Sequence, residues 1–108
     1  MNKTYYNKLV RDNIPEIIKN KGSQFEIQEM SDEEYRGALR EKLLEEAKEV
    51  FEAESDNLVT ELADLYEVID ALMKFYNIDK NLVLKQQNMR KIERGGFTKR
   101  IKLIWINS

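Results

Sequence analysis

Lys42 to Phe51 reads KLLEEAKEVF, and after a short polar break Glu61 to Leu72 reads ELADLYEVIDAL. Both segments repeat apolar residues at three- and four-residue spacing, the period of a helix with one buried face. Each also carries an acidic pair at i, i+3: Glu46 with Glu49, and Glu61 with Asp64. On a helix the members of such a pair lie on nearly the same face, one turn apart.

The direction of these acids says more than their spacing. In the first segment Leu39, Leu43, Ala47, Val50 and Phe51 share one apolar arc, and Glu46 falls on its rim, roughly 20° from Leu39. In the second segment the arc is wide, taking in Leu58, Leu62, Leu65, Val68, Ile69, Leu72, Met73, Phe75 and Tyr76. Glu61 falls inside it, between the directions of Val68 and Leu72, and Asp64 lies at its edge. A charge aimed at an apolar interior is costly unless something compensates it, and several carboxylates together repel one another. A hard divalent cation answers both problems. An oxygen-only ligand set of Glu46, Glu49, Glu61 and Asp64 suits Mg²⁺, with Mn²⁺ as a substitute. One such pair alone reads as a solvated helix face, since 35% of the chain is charged. Two pairs on adjacent helices, both at the apolar margin, point to a site.

Working outward, Ser31-Asp-Glu-Glu34 is a capping box that opens the first acidic helix, which should run to about Ala53. Ser55-Asp56-Asn57 breaks it and offers a cap for the next helix, expected to end near Tyr76. So short a connection makes the two helices antiparallel neighbours, able to face their acids towards one another. Upstream, Asn13 can cap a helix that takes Pro15 in its first turn, carries Ile14, Ile17 and Ile18, and stops at Gly22. Residues 24–29 alternate and suggest a short strand. Downstream, Asp79 caps a further helix that runs to Arg94, where Gly95-Gly96 ends it. Its buried side is Leu82, Met89 and Ile92. Asn88, Lys91 and Arg94 lie off that side, as a solvated basic face or as phosphate contacts. Residues 101–106 form a mostly apolar strand that can pair with residues 24–29.

Composition narrows the chemistry. A chain of 108 residues, 42% of them hydrophobic, makes one globular domain with one modest core. With no Cys there is no thiolate chemistry, and with no His there is no imidazole base. Proton transfer falls to carboxylates, Lys or metal-bound water. No apolar run reaches a membrane span, and the N-terminal MNKTYYNKLVRD has no secretory h-region, so a cytoplasmic protein is expected. A net charge of −2 argues against a dedicated nucleic-acid binder. No GxxxxGK phosphate loop is present. The apolar arcs of the two acidic helices exceed what one short chain can cover, so a homodimer or a dimer of dimers is expected.

The pairing of E-E-A-K-E (45–49) with E-L-A-D (61–64) resembles the ExxE…ExxD signature of the MazG-type all-α nucleoside triphosphate pyrophosphohydrolases. The opening Y-N-K-L-V-R-D-N-I-P-E-I-I and the closing R-G-G-F-T-K-R-I resemble a small branch of that superfamily, related to phosphoribosyl-ATP pyrophosphohydrolase. Together these features cover nearly the whole chain. The expected fold is mainly α, a helical bundle built on an antiparallel helix hairpin with a small peripheral β element, in a single domain over residues 1–108.

The resemblance implies Mg²⁺-dependent cleavage of an NTP or dNTP between its α and β phosphorus atoms, to a monophosphate and pyrophosphate, which would serve to clear non-canonical nucleotides. It implies a homo-oligomer as well. Glu46, Glu49, Glu61 and Asp64 would hold the metal, and Glu46 or its neighbour Glu45 would act as base; the sequence does not choose. By the same resemblance Lys8, Arg11, Asn88, Lys91 and Arg94 are candidate nucleotide contacts. The residues by themselves also allow Arg11 to pair simply with Asp12. Two other readings stay open: hydrolysis of phosphoribosyl-ATP, and a catalytically silent helical dimer that binds a nucleotide or a protein.

Overall fold

The computed structural model describes residues 2–107. Its elements are α1 (Ile14–Asn20), α2 (Asp32–Glu52), a 3₁₀ turn (Ser55–Asn57), α3 (Leu58–Phe75) and α4 (Lys80–Arg94). The protein is mainly helical, with no strand among the described residues.

Local chemistry explains where the helices begin and end. The Ser31 hydroxyl accepts the Glu34 backbone N–H at 3.2 Å, and Asp32, Glu33 and Glu34 place negative charge on the first turn of α2. Asp79 accepts from the Asn81 N–H at 2.9 Å and starts α4. Helix α1 closes when the Gly22 N–H bonds to Lys19 C=O and the Ser23 N–H to Ile18 C=O. That Schellman turn needs a left-handed residue, and Gly22 has φ 82°. Two expected caps are not used. Asn13 and Asn57 have helical backbone angles and make no side-chain cap bond. The turn in front of α1 is closed instead by the Ile14 N–H on Arg11 C=O at 3.1 Å. Before α3 the 3₁₀ turn takes over, with the Asn57 N–H on Glu54 C=O at 2.9 Å.

Packing is concentrated between α2 and α3. Tyr35 at the start of α2 meets Phe75 at the end of α3, edge to face with centroids 5.4 Å apart. One turn further along, Arg40 donates to the Tyr76 hydroxyl at 2.9 Å and lies over its ring. At the other end of the pair, Glu46 comes beside Glu61 and Asp64. Leu39 and Val68 are the buried apolar side chains at the seam, 2% and 7% exposed.

Several expected contacts do not form within the chain. Ala47 and Phe51 belong to the apolar arc of α2, yet both are exposed, Phe51 at 88%. Every residue of α4 is exposed, its expected buried side of Leu82, Met89 and Ile92 included. Residues 24–29 and 101–106 are not assigned to a strand. A strand needs an edge to pair with, and α4 leads the chain away without packing on the α2–α3 pair, so residues 101–106 have no such edge within the chain. The result is elongated, 61 × 33 × 27 Å, with a radius of gyration of 18.8 Å. A compact chain of this length would have about 13 Å.

The seam generates a stability prediction. Leu39→Ala should lower the free energy of unfolding by about 2–4 kcal/mol, the usual cost of emptying a filled Leu site. Urea unfolding at a fixed protein concentration measures it.

Candidate functional site

The acids converge where the two helices meet, one from α2 and two from α3. Glu46 projects from the middle of α2, and Glu61 and Asp64 from the first two turns of α3. All three are half-buried, and one carboxylate oxygen from each lies within 4.8 Å of the others. Glu49, one turn beyond Glu46, is exposed and outside this three-oxygen group. Its charge still reaches Glu61.

Glu61 is the crowded member. Burial, first, and then the charges of Glu49, Asp64 and Glu46 hold its carboxyl above its ordinary value. Among the described residues no cation pairs with Glu61, whereas both flanks of the group are compensated. Arg11 donates to Asp64 at 2.7 Å. Lys42, one turn before Glu46, lies 3.6 Å from Glu46 and 3.4 Å from Glu45. Lys8 donates to Glu45 at 2.9 Å. That bond, opposed by partial burial and aided by the charge of Lys42, pulls the Glu45 carboxyl below its ordinary value. The same bond raises the Lys8 ammonium.

The N-terminal segment is thereby tied to both helices, through Lys8 to α2 and through Arg11 to α3. Arg11, which could have paired with its neighbour Asp12, instead reaches Asp64. Between this segment and α2 lies an open cavity of about 310 Å³, lined among others by Lys8, Met30, Ala38, Lys42 and Glu45. Asn88, Lys91 and Arg94 stand apart on the exposed face of α4. Among the described residues, no hydrogen bond or ion pair links them to the acids. Lys42 is the participant that the sequence reading passed over. Its signal was present as i, i+3 and i, i+4 spacing to Glu45 and Glu46, the arrangement of helix-surface ion pairs.

The group fits a hard cation. All three donors are carboxylate oxygens. Mg²⁺–oxygen distances of about 2.0–2.1 Å set opposite ligands ~4.2 Å apart. Neighbouring ligands of an octahedron sit closer, ~2.9 Å apart, so three carboxylate oxygens that share one ion would draw together around it. The unrelieved repulsion at Glu61 is what a divalent charge would remove.

The raised pKa of Glu61 yields a signed prediction. The folded state holds its proton more tightly than the unfolded chain does, so the ionised carboxylate works against the fold. That cost is fully present above the raised value and disappears as pH falls through it towards the ordinary carboxylate range. In chelator at neutral pH, Glu61→Gln should therefore melt at the same temperature as the unaltered protein or higher. Below the ordinary carboxylate range the difference should vanish. Melting curves across pH, with chelator present, measure both.

Comparison of the chain with protein-family models, with curated proteins and with solved structures finds no match.

Proposed function

We propose that this protein is a Mg²⁺-dependent nucleoside triphosphate pyrophosphohydrolase of the MazG-like all-α type, cleaving an NTP or dNTP to the monophosphate and pyrophosphate in the cytoplasm. The observation that carries the reading is the meeting of Glu46, Glu61 and Asp64, from two helices, with Glu61 destabilised as an anion. In this reading α2 and α3 are the hairpin of a helical bundle that a second copy completes. The extent of the surface supports the need for one: 10726 Å² is exposed, against roughly 6,300 Å² expected of a compact monomer of this mass.

Bound Mg²⁺ would neutralise charge on the phosphate oxygens and lower the pKa of a coordinated water. The residues supply the rest. Glu46, Glu61 and Asp64 hold the ion, and Glu49 extends the set from the next turn of α2. Of the two candidate bases, Glu45 is engaged by Lys8 and Lys42, and its lowered pKa makes it a poor proton acceptor. Glu46, turned towards the other acids, is the better placed to take a proton from the attacking water. Lys8 and Arg11 lie beside the acids with half-exposed side chains, where they can contact phosphate as well as carboxylate. Asn88, Lys91 and Arg94 would act from the basic face of α4.

The test is a nucleotide panel, phosphoribosyl-ATP included, assayed for pyrophosphate with and without Mg²⁺. Pyrophosphate release from at least one substrate, abolished by chelator, is expected. Orthophosphate alone, or no turnover on any substrate, overturns the reading and leaves a silent binding dimer.

A coupled prediction concerns the metal itself. A ligand that binds only the folded state stabilises it by RT ln(1 + [L]/Kd). Glu61→Gln should lose most of the Mg²⁺-induced rise in melting temperature and nearly all turnover. Keeping both would remove Glu61 from the site.

A further inference from the structure

We propose that α4 and the segment after it form an arm that docks on the acidic α2–α3 pair of a second copy of this chain. The inference does not depend on hydrolysis or on a bound cation.

Three observations carry it. First, the arm is rich in apolar surface that no described residue of its own chain covers. Met89 and Ile92 of α4 are 53% and 78% exposed, and Phe97, Leu103 and Trp105 beyond it are 97%, 73% and 75% exposed. Surface of this extent exceeds the scattered apolar residues of an ordinary monomer.

Second, the direction of the arm is built into the fold. At the end of α3 the Asn77 N–H bonds to Lys74 C=O, and the Ile78 N–H bonds to Met73 C=O at 2.8 Å. Asn77 takes the left-handed position, φ 55°, that such a Schellman turn requires. Lys80 at the start of α4 adds an ion pair to Asp70 at 3.7 Å. This turn points α4 away from its own α2–α3 pair, which leaves its apolar side open to another molecule.

Third, charge selects that molecule. Residues 80–107 carry eight Lys and Arg against one acid, a net charge of +7. Residues 32–75 carry fourteen acids against five Lys and Arg, a net charge of −9. The acidic body also offers apolar residues to receive the arm, with Leu44, Phe51 and Val59 exposed at 72%, 88% and 79%. A polyanion would match the charge of the arm but not its Met, Phe and Trp side chains. A second copy matches both. Each chain exposes roughly 4,000 Å² more than a compact monomer would, so two copies together have ample surface for an obligate dimer interface, which buries about 2,000–5,000 Å² counted over both partners. Two arms on two bodies make a closed, twofold exchange. It also carries the basic face of Lys91 and Arg94 to the acidic face of the other copy, where neither residue reaches its own.

The absence of cysteine makes the test clean. Ile92→Cys, carrying a benzophenone label, is mixed with isotopically heavy unlabelled protein and irradiated. Crosslinked peptides joining the label to residues 32–75 of the heavy chain, with a dimer or larger mass by light scattering, are expected. Crosslinks confined to the same chain, crosslinks from arm to arm only, or a monomer mass at micromolar concentration would overturn the proposal. Because α4 is exposed throughout, charge reversal there does not threaten the fold of a single chain. Lys91→Glu with Arg94→Glu should raise the dimer Kd at least tenfold, and an unchanged Kd counts equally against it.

Discussion

The seam between α2 and α3 holds the rest of the molecule in place. Its central contacts are Leu39 and Val68, the two buried apolar side chains among the described residues. The aromatic contact of Tyr35 with Phe75 closes one end. At the other end Glu46, Glu61 and Asp64 meet. The same apolar register that buries Leu39 against α3 therefore sets the acids face to face. The stability of the seam and the electrostatic strain of the site are two consequences of one packing choice.

That strain is unevenly relieved. The chain supplies cations to the flanks: Arg11 to Asp64, Lys8 and Lys42 to Glu45, and Lys42 to Glu46. These pairs are partly solvated, and exposed pairs of this kind add little to stability. Their effect is on position, because they hold residues 8–11 across both helices next to the acids. Glu61, with no such partner, keeps the repulsion. A site that is compensated at its edges and uncompensated at its centre suits a small, highly charged ligand there.

Much of this was legible in the chain. The period of apolar residues located all four helices, and Ser31, Gly22, Asp79 and Gly95 marked ends because each offers a cap bond or a left-handed backbone. The same period placed Glu61 within an apolar arc, which anticipates its raised pKa. Lys42 was missed because its i, i+3 and i, i+4 spacing to Glu45 and Glu46, though present, is shared by any Lys–Glu pair on a charged helix. The strands expected at residues 24–29 and 101–106 failed for a different reason. Alternation describes a surface that can pair, but pairing needs a second edge within reach.

Sequence by itself determined which segments are helical, where most of them start and stop, and which acids lean towards the apolar side. Those properties depend on neighbours within about one turn. Tertiary structure decided that Glu46 meets Glu61 and Asp64, that Arg11 leaves Asp12 for Asp64 53 residues away, and that Lys8 settles on Glu45. It also decided that the apolar stripe of α4 stays uncovered by its own chain. Local periodicity reports that a face is apolar. Only the direction in which the Asn77 turn sends α4 determines whether that face meets its own body.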